Sequence, residues 1–155
     1  MHLNQDFEDL IHHLNAANVK YVVVGAYAVV IYAGPRYTRD IDFLVEPTPE
    51  NAQKVYEALK AFGAPLDDLK VEDLCNPEMV YQIGIEPNRI DIIMNISGLS
   101  FEEVWRNKRV DQYGKEKIFL IDLNDLIQAK KMAGRPKDME DVEKLLQVAK
   151  LTKKE

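Results

Sequence analysis

The run Asp40-Ile41-Asp42-Phe43-Leu44-Val45 sets two acids two residues apart in an otherwise apolar, β-forming segment. Residues two apart on a strand point to the same face. Asp40 and Asp42 therefore project together, while Ile41, Phe43 and Val45 go to the other side. Carboxylates held side by side repel each other and resist desolvation unless a cation neutralises them. Paired oxygens at strand spacing suit Mg²⁺, a hard cation that often shares its ligands with substrate phosphates. Upstream, Tyr21 to Val24 is a short β-branched run that reads as a buried strand. Gly25 stops it, where the backbone must turn tightly or lie close to another group. Ala26 to Ala33 forms one short helix, which Gly34-Pro35 ends.

The rest of the chain must support that unit. Its 155 residues fit one domain, with a core over about 18–121 and a helical C-terminal part over about 122–150. A net charge of -6 argues against an extended, sequence-independent grip on DNA or RNA, which needs a basic surface. It leaves room for a local phosphate site. The single cysteine, Cys75, rules out an internal disulfide and reads as a small buried hydrophobe in a reducing compartment. A catalytic thiol is disfavoured, since neither flank of Cys75 supplies a histidine. With no apolar signal region and no run long enough to span a bilayer, the chain is expected in the cytoplasm with no membrane partner.

Apolar spacing predicts a first helix over Gln5 to Ala17, stopped at Asn18. His12 and His13 lie on it about 100° apart and share no ligand face. After Pro47-Thr48-Pro49, a helix is predicted over Glu50 to Phe62, ended by Gly63, with a helical turn around Val71 to Leu74. Met79 to Ile85 and Arg89 to Met94 read as antiparallel strands about a turn at Glu86-Pro87-Asn88. A short helix over Phe101 to Asn107 has Ser100 as its N-cap. Val110 to Ile121 reads as a hairpin about Tyr113-Gly114-Lys115. A helix capped by Asp122 or Asn124 runs to Met132 and breaks at Gly134-Arg135-Pro136. Asp138 is expected to cap a last helix through Lys150, with only LTKKE frayed. This order is α/β (α+β) with a mixed sheet, not a regular doubly wound one.

Asp91 is a third acid set between apolar strand neighbours, where an acid is costly. Asp40, Asp42 and Asp91 on neighbouring strands would make a two-cation site. Two such ions activate an attacking hydroxyl and stabilise a leaving oxygen in a phosphoryl displacement. Asp91 could also accept the attacking group's proton. The plainer reading sets each acid on the solvent side of its strand. Tyr27 and Tyr32, on the short helix, read as core in preference to base-stacking groups.

An apolar strand, Gly25-Ala26, a gap of thirteen residues and Asp40-Ile41-Asp42-Phe43 resemble the signature of the nucleotidyltransferase superfamily, which includes polymerase β-like and kanamycin-nucleotidyltransferase-like enzymes. The resemblance implies a mixed central sheet flanked by helices, with further helices at the C-terminus. It also implies that Asp40, Asp42 and Asp91 hold two Mg²⁺ ions, for which Mn²⁺ can substitute, and that the turn at Gly25 and Ala26 receives a nucleoside triphosphate. Ala26 departs from the usual glycine or serine, keeping its N–H but offering no hydroxyl. Arg36-Tyr37-Thr38-Arg39-Asp40-Ile41-Asp42 and the later Lys130 … Gly134-Arg135-Pro136-Lys137-Asp138 … Asp141 look more narrowly like small bacterial members similar to the AbiEii toxins of type IV toxin–antitoxin systems. That likeness implies that Arg36, Thr38, Lys130 and Arg135 also serve the nucleotide. Lys130 or Arg135 beside a helix start could neutralise a triphosphate; the plainer reading is a solvated basic turn.

The activity so implied is Mg²⁺-dependent transfer of a nucleoside monophosphate from an NTP to a hydroxyl of RNA, protein or a small molecule. A cognate antitoxin is one partner this implies. The alternative is a catalytically weak binding or scaffold module on the same fold, motivated by Ala26 and by the lack of an evident acceptor-binding domain.

Overall fold

A computed structural model describes residues 3–34, 40–84 and 88–153 of the chain. The elements, in order, are helix α1 (Gln5–Ala16), strand β1 (Tyr21–Val24), helix α2 (Gly25–Ala33), strand β2 (Asp40–Val45) and helix α3 (Pro49–Phe62). A 3₁₀ turn over Val71–Cys75 leads to strands β3 (Val80–Ile83) and β4 (Arg89–Ile93). Then come α4 (Phe101–Asn107), β5 (Arg109–Tyr113), β6 (Glu116–Leu120), α5 (Leu123–Ala133) and α6 (Pro136–Lys153).

The six strands form one mixed sheet in the order β3-β4-β2-β1-β6-β5. The β1–β2, β3–β4 and β5–β6 pairs are antiparallel, while β2–β4 and β1–β6 are parallel. Helix α1 packs on α3, and α2, α5 and α6 pack together as a second group. The core fills both faces of the central strands: Tyr21, Val23, Ile41, Phe43 and Ile92 on one, Val22, Val24 and Leu44 on the other. The face of Val22 and Leu44 is therefore apolar along part of its length. Its acids lie at the end where β1 hands over to α2.

Local chemistry explains most boundaries. The Asn4 carboxamide caps α1 by accepting from the N–H groups of Asp6 and Phe7. Beyond α1, Asn18 adopts a left-handed φ of 57°. Thr48 caps α3 with Pro49 in its first turn, and Gly63 ends it in the left-handed region. Ser100 and Asp122 cap α4 and α5.

Two C-terminal expectations change. Asp138 does not precede the last helix; it lies in the first turn of α6, which Pro136 opens, and its carboxylate accepts from the Arg135 N–H at 3.2 Å. That helix also continues past Lys150 to Lys153, with the Thr152 hydroxyl donating to the Val148 carbonyl. The expected turn at residues 86 and 87 lies outside the described residues. Cys75 is a half-buried free thiol and not a fully buried one, because it sits at the end of the 3₁₀ turn. His12 is exposed and stands 3.1 Å from Glu116. Tyr27 belongs to the core, and the half-buried Tyr32 donates its hydroxyl hydrogen to the Ile121 carbonyl at 2.7 Å. No helix among the described residues is long and apolar enough to cross a membrane.

Candidate active site

Gly25 begins α2 with φ +72°, a conformation that L side chains rarely adopt. Space imposes a second demand: a Cβ there would overlap Asp42 Oδ2. The glycine turn and the acidic strand are thus fitted to each other. Val24, the residue before the turn, stands opposite Asp42 in the β1–β2 pairing.

The parallel pairing of β2 with β4 sets Asp42 against Asp91 and Asp40 against Arg89. Asp91 is buried, and Asp40 and Asp42 are half-buried. Burial pushes the Asp42 carboxyl up to about 7; a hydrogen bond with Asp91 and the charges of Asp91 and Asp40 add to the rise, and Lys130 opposes it.

Arg89 joins the other two acids. Its Nη2 lies 3.2 Å from Asp40 Oδ2, and its Nε lies 3.0 Å from Asp91 Oδ1. Nη2 also donates to Asp91 Oδ2 at 3.3 Å. One guanidinium thus spans two of the three carboxylates. Among the described residues, no group of three or more His, Cys, Asp or Glu side chains is arranged to hold a metal ion. Asp42 and Asp91 nevertheless fit a hard divalent cation. They are oxygen donors held together at a cost in repulsion, beside a glycine whose missing Cβ leaves room for Asp42.

Across a cleft from Asp42 lies a second charged group. Lys130, on α5, places Nζ 3.3 Å from Asp138 Oδ1 and 3.3 Å from Asp141 Oδ2, both on α6. The lysine side chain is only 11% exposed, and the two acids are at most 3% exposed. It is therefore no solvated surface residue; Lys131 beside it is. Arg135 Nε donates to Asp138 Oδ2 at 2.7 Å, yet the arginine remains 75% exposed. Burial alone would raise the Asp138 pKa; the Arg135 hydrogen bonds and the Lys130 charge prevail and hold it below the usual range. The same hydrogen bond and charge raise that of Arg135.

Gly25, Asp42, Lys130 and Arg135 line this cleft together with Asn95 and Ser97. Ala26 is half-buried in the first turn of α2, and neither it nor Asp40 nor Asp91 is among the lining residues. Arg36 and Thr38 lie outside the described residues. Arg89 is a site residue beyond those the sequence motifs mark, although its place two residues before Asp91 puts both on one face of β4. Asn95 and Ser97 join the cleft with no local sequence signal to mark them, and Asp138, expected as a cap, pairs with Lys130.

A mixed sheet with an acidic strand behind a glycine-initiated helix is the architecture of the nucleotidyltransferases. The chain belongs to the family described as Nucleotidyltransferase of unknown function (DUF6036), whose model matches residues 1–152. Solved structures share the fold. The lincomycin-bound lincosamide antibiotic adenylyltransferase LnuA aligns with a TM-score of 0.59 at 16% identity, covering 96% of this chain and 99% of its own. A proposed nucleotidyltransferase from Thermotoga maritima aligns at 0.61 with 18% identity, covering 92% and 91%. An antigenic nucleotidyltransferase-like protein from Paracoccidioides brasiliensis aligns at 0.54 with 13% identity, covering 94% and 75%. No curated protein matches the chain.

Proposed function

We propose that this nucleotidyltransferase moves a nucleoside monophosphate from an NTP to a hydroxyl acceptor with the help of Mg²⁺ or Mn²⁺. The observation that carries the reading is the Asp42–Asp91 pair behind Gly25, faced across the cleft by Lys130. Asp42 and Asp91, joined by Asp40, would hold the metal. When bound, the metal would neutralise the triphosphate and polarise the α-phosphorus.

The chain's own residues do the rest. The first turn of α2, including the N–H of Ala26, carries no side-chain cap among the described residues and offers donors to phosphate oxygens. Lys130, held by Asp138 and Asp141, sets a fixed positive charge at the cleft, and the exposed Arg135 adds a second at its rim. Asp91 takes the proton of the attacking hydroxyl. The acceptor oxygen bonds to the α-phosphorus, the bond from that phosphorus to the bridging oxygen breaks, and pyrophosphate leaves.

The net charge of -6 disfavours long RNA as acceptor unless a partner chain supplies basic surface. A protein side chain or a small molecule suits this surface better. A place in the cytoplasm, and a role as a toxin paired with an antitoxin, belong to the same reading by family analogy. The test is incubation with each α-³²P-labelled NTP, Mg²⁺ and cell extract beside the Asp40→Asn/Asp42→Asn variant. A labelled product missing with the variant supports the reading, and its nuclease or protease sensitivity gives the acceptor class. Label transfer that survives the double substitution overturns it. If no NTP gives product and none binds, the scaffold reading stands instead.

A further inference from the structure

We propose that Arg89 is a built-in counter-cation of the acidic site, which a metal ion must displace, and that it thereby sets metal affinity. This rests on the metal reading of Asp40, Asp42 and Asp91. Arg89 stands in register opposite Asp40 on the face that carries the acids, and its guanidinium reaches Asp40 and Asp91 at 3.0–3.3 Å. That is hydrogen-bonding distance to two of the three carboxylates that would hold the metal. Three acids gathered at one end of a sheet need positive charge to be stable. A guanidinium is suited to this task, because its planar fork serves two carboxylates at once and stays charged at every relevant pH. With 28% of its side chain exposed, Arg89 has solvent to withdraw into.

The site then has two arrangements. In one, Arg89 clamps Asp40 to Asp91 and takes up carboxylate oxygens that a metal would need. In the other, a divalent cation takes the carboxylate oxygens, and the arginine turns toward the cleft mouth. Free energy held in the clamp opposes metal binding, so weakening the clamp tightens it. Arg89 is a positioning residue on this view, since it acts through Asp40 and Asp91.

The test is calorimetric titration of Mn²⁺ into the parent protein, Arg89→Met and Arg89→Lys, each freed of metal and held at one ionic strength, with melting temperatures taken in chelator and in saturating Mn²⁺. Arg89→Met is expected to bind Mn²⁺ at least about tenfold more tightly than the parent. It should melt lower in chelator and gain more from Mn²⁺. Arg89→Lys should fall between, as one ammonium serves one carboxylate at a time. A structural ion pair alone would lower the melting temperature and leave Mn²⁺ affinity where it was; equal or weaker binding by Arg89→Met therefore overturns the proposal. If Arg89→Met does not fold, Arg89→Lys decides, and affinity equal to or below the parent's overturns it. If the parent binds Mn²⁺, the metal reading stands whatever the variants do; if no form binds it, both fall.

Discussion

Asp42 and Asp91 stand directly opposite each other in the parallel pairing of β2 with β4, and Asp42 is raised to about 7 by burial and by that neighbour. A carboxyl with a raised folded pKa keeps its proton where the unfolded chain has lost it. Its contribution to stability is therefore present below the ordinary value of 3.8 and is lost as pH rises through about 7. Asp42→Asn carries no such loss. In chelator, the variant is expected to gain on the parent between pH 4 and pH 7 and to melt higher at pH 8 by about 2–4 °C. Melting curves at stepped pH check this; a constant gap across the range would contradict it. Transfer activity should vanish in the same variant, so stability and function move in opposite directions.

Gly25→Ala meets two obstacles, a φ of +72° and the carboxylate of Asp42. The first alone costs about 1–2 kcal/mol for an L residue. The second pushes Asp42 away from Asp91. The expected result is a lower melting temperature together with weaker Mn²⁺ binding. Gly63→Ala, at φ +96° with open space around its Cβ position, should show the first effect without the second.

Asp138→Asn removes a buried carboxylate that binds Lys130 and Arg135. Breaking such an ion pair costs about 3 kcal/mol. Because the folded pKa of Asp138 is depressed, its contribution is present above the ordinary 3.8 and is lost as pH falls below it. The gap between parent and variant in denaturant titrations should be full at pH 6 and should close as pH drops below about 4. Nucleotide affinity should fall as well, since Lys130 loses part of its support.

Asn51, only 3% exposed, accepts from the Lys20 N–H and donates to the carbonyls of Lys20 and Glu46. It ties the start of α3 to the ends of β1 and β2. Asn51→Ala leaves buried backbone groups without these bonds, at about 1–3 kcal/mol. Chemical denaturation should show this loss with Mn²⁺ affinity unchanged, because the bonds lie at the far end of the strands from Asp42.

The parts read correctly from sequence are those that local chemistry decides. Ser100 caps α4 as expected, Asp122 is the one of the two expected candidates that caps α5, and the Asp40/Asp42 spacing puts both acids on one face. Asp138 shows the limit. An acid just after Gly-Arg-Pro suits a cap, but Pro136 takes the first helical position, and Asp138 turns to Lys130 eight residues earlier. The register that opposes Asp42 to Asp91 joins strands forty-nine residues apart, and no local pattern encodes it. Nor does any local pattern bring β6 alongside β1 in parallel, which carries α5, and Lys130 with it, toward the glycine turn.

That arrangement has a consequence for how the protein is made. Gly25 and Asp42 leave the ribosome before Lys130 and its anchors Asp138 and Asp141. Until α6 docks, the cleft has its acidic wall and lacks its basic one. Before that point the carboxylates have no buried lysine to face them, and on the proposed reading a triphosphate finds its full cleft only once α6 has been made. Chains stalled after Ala133 and after Lys153 should differ sharply in NTP cross-linking; equal labelling of the two would show that the basic wall is dispensable.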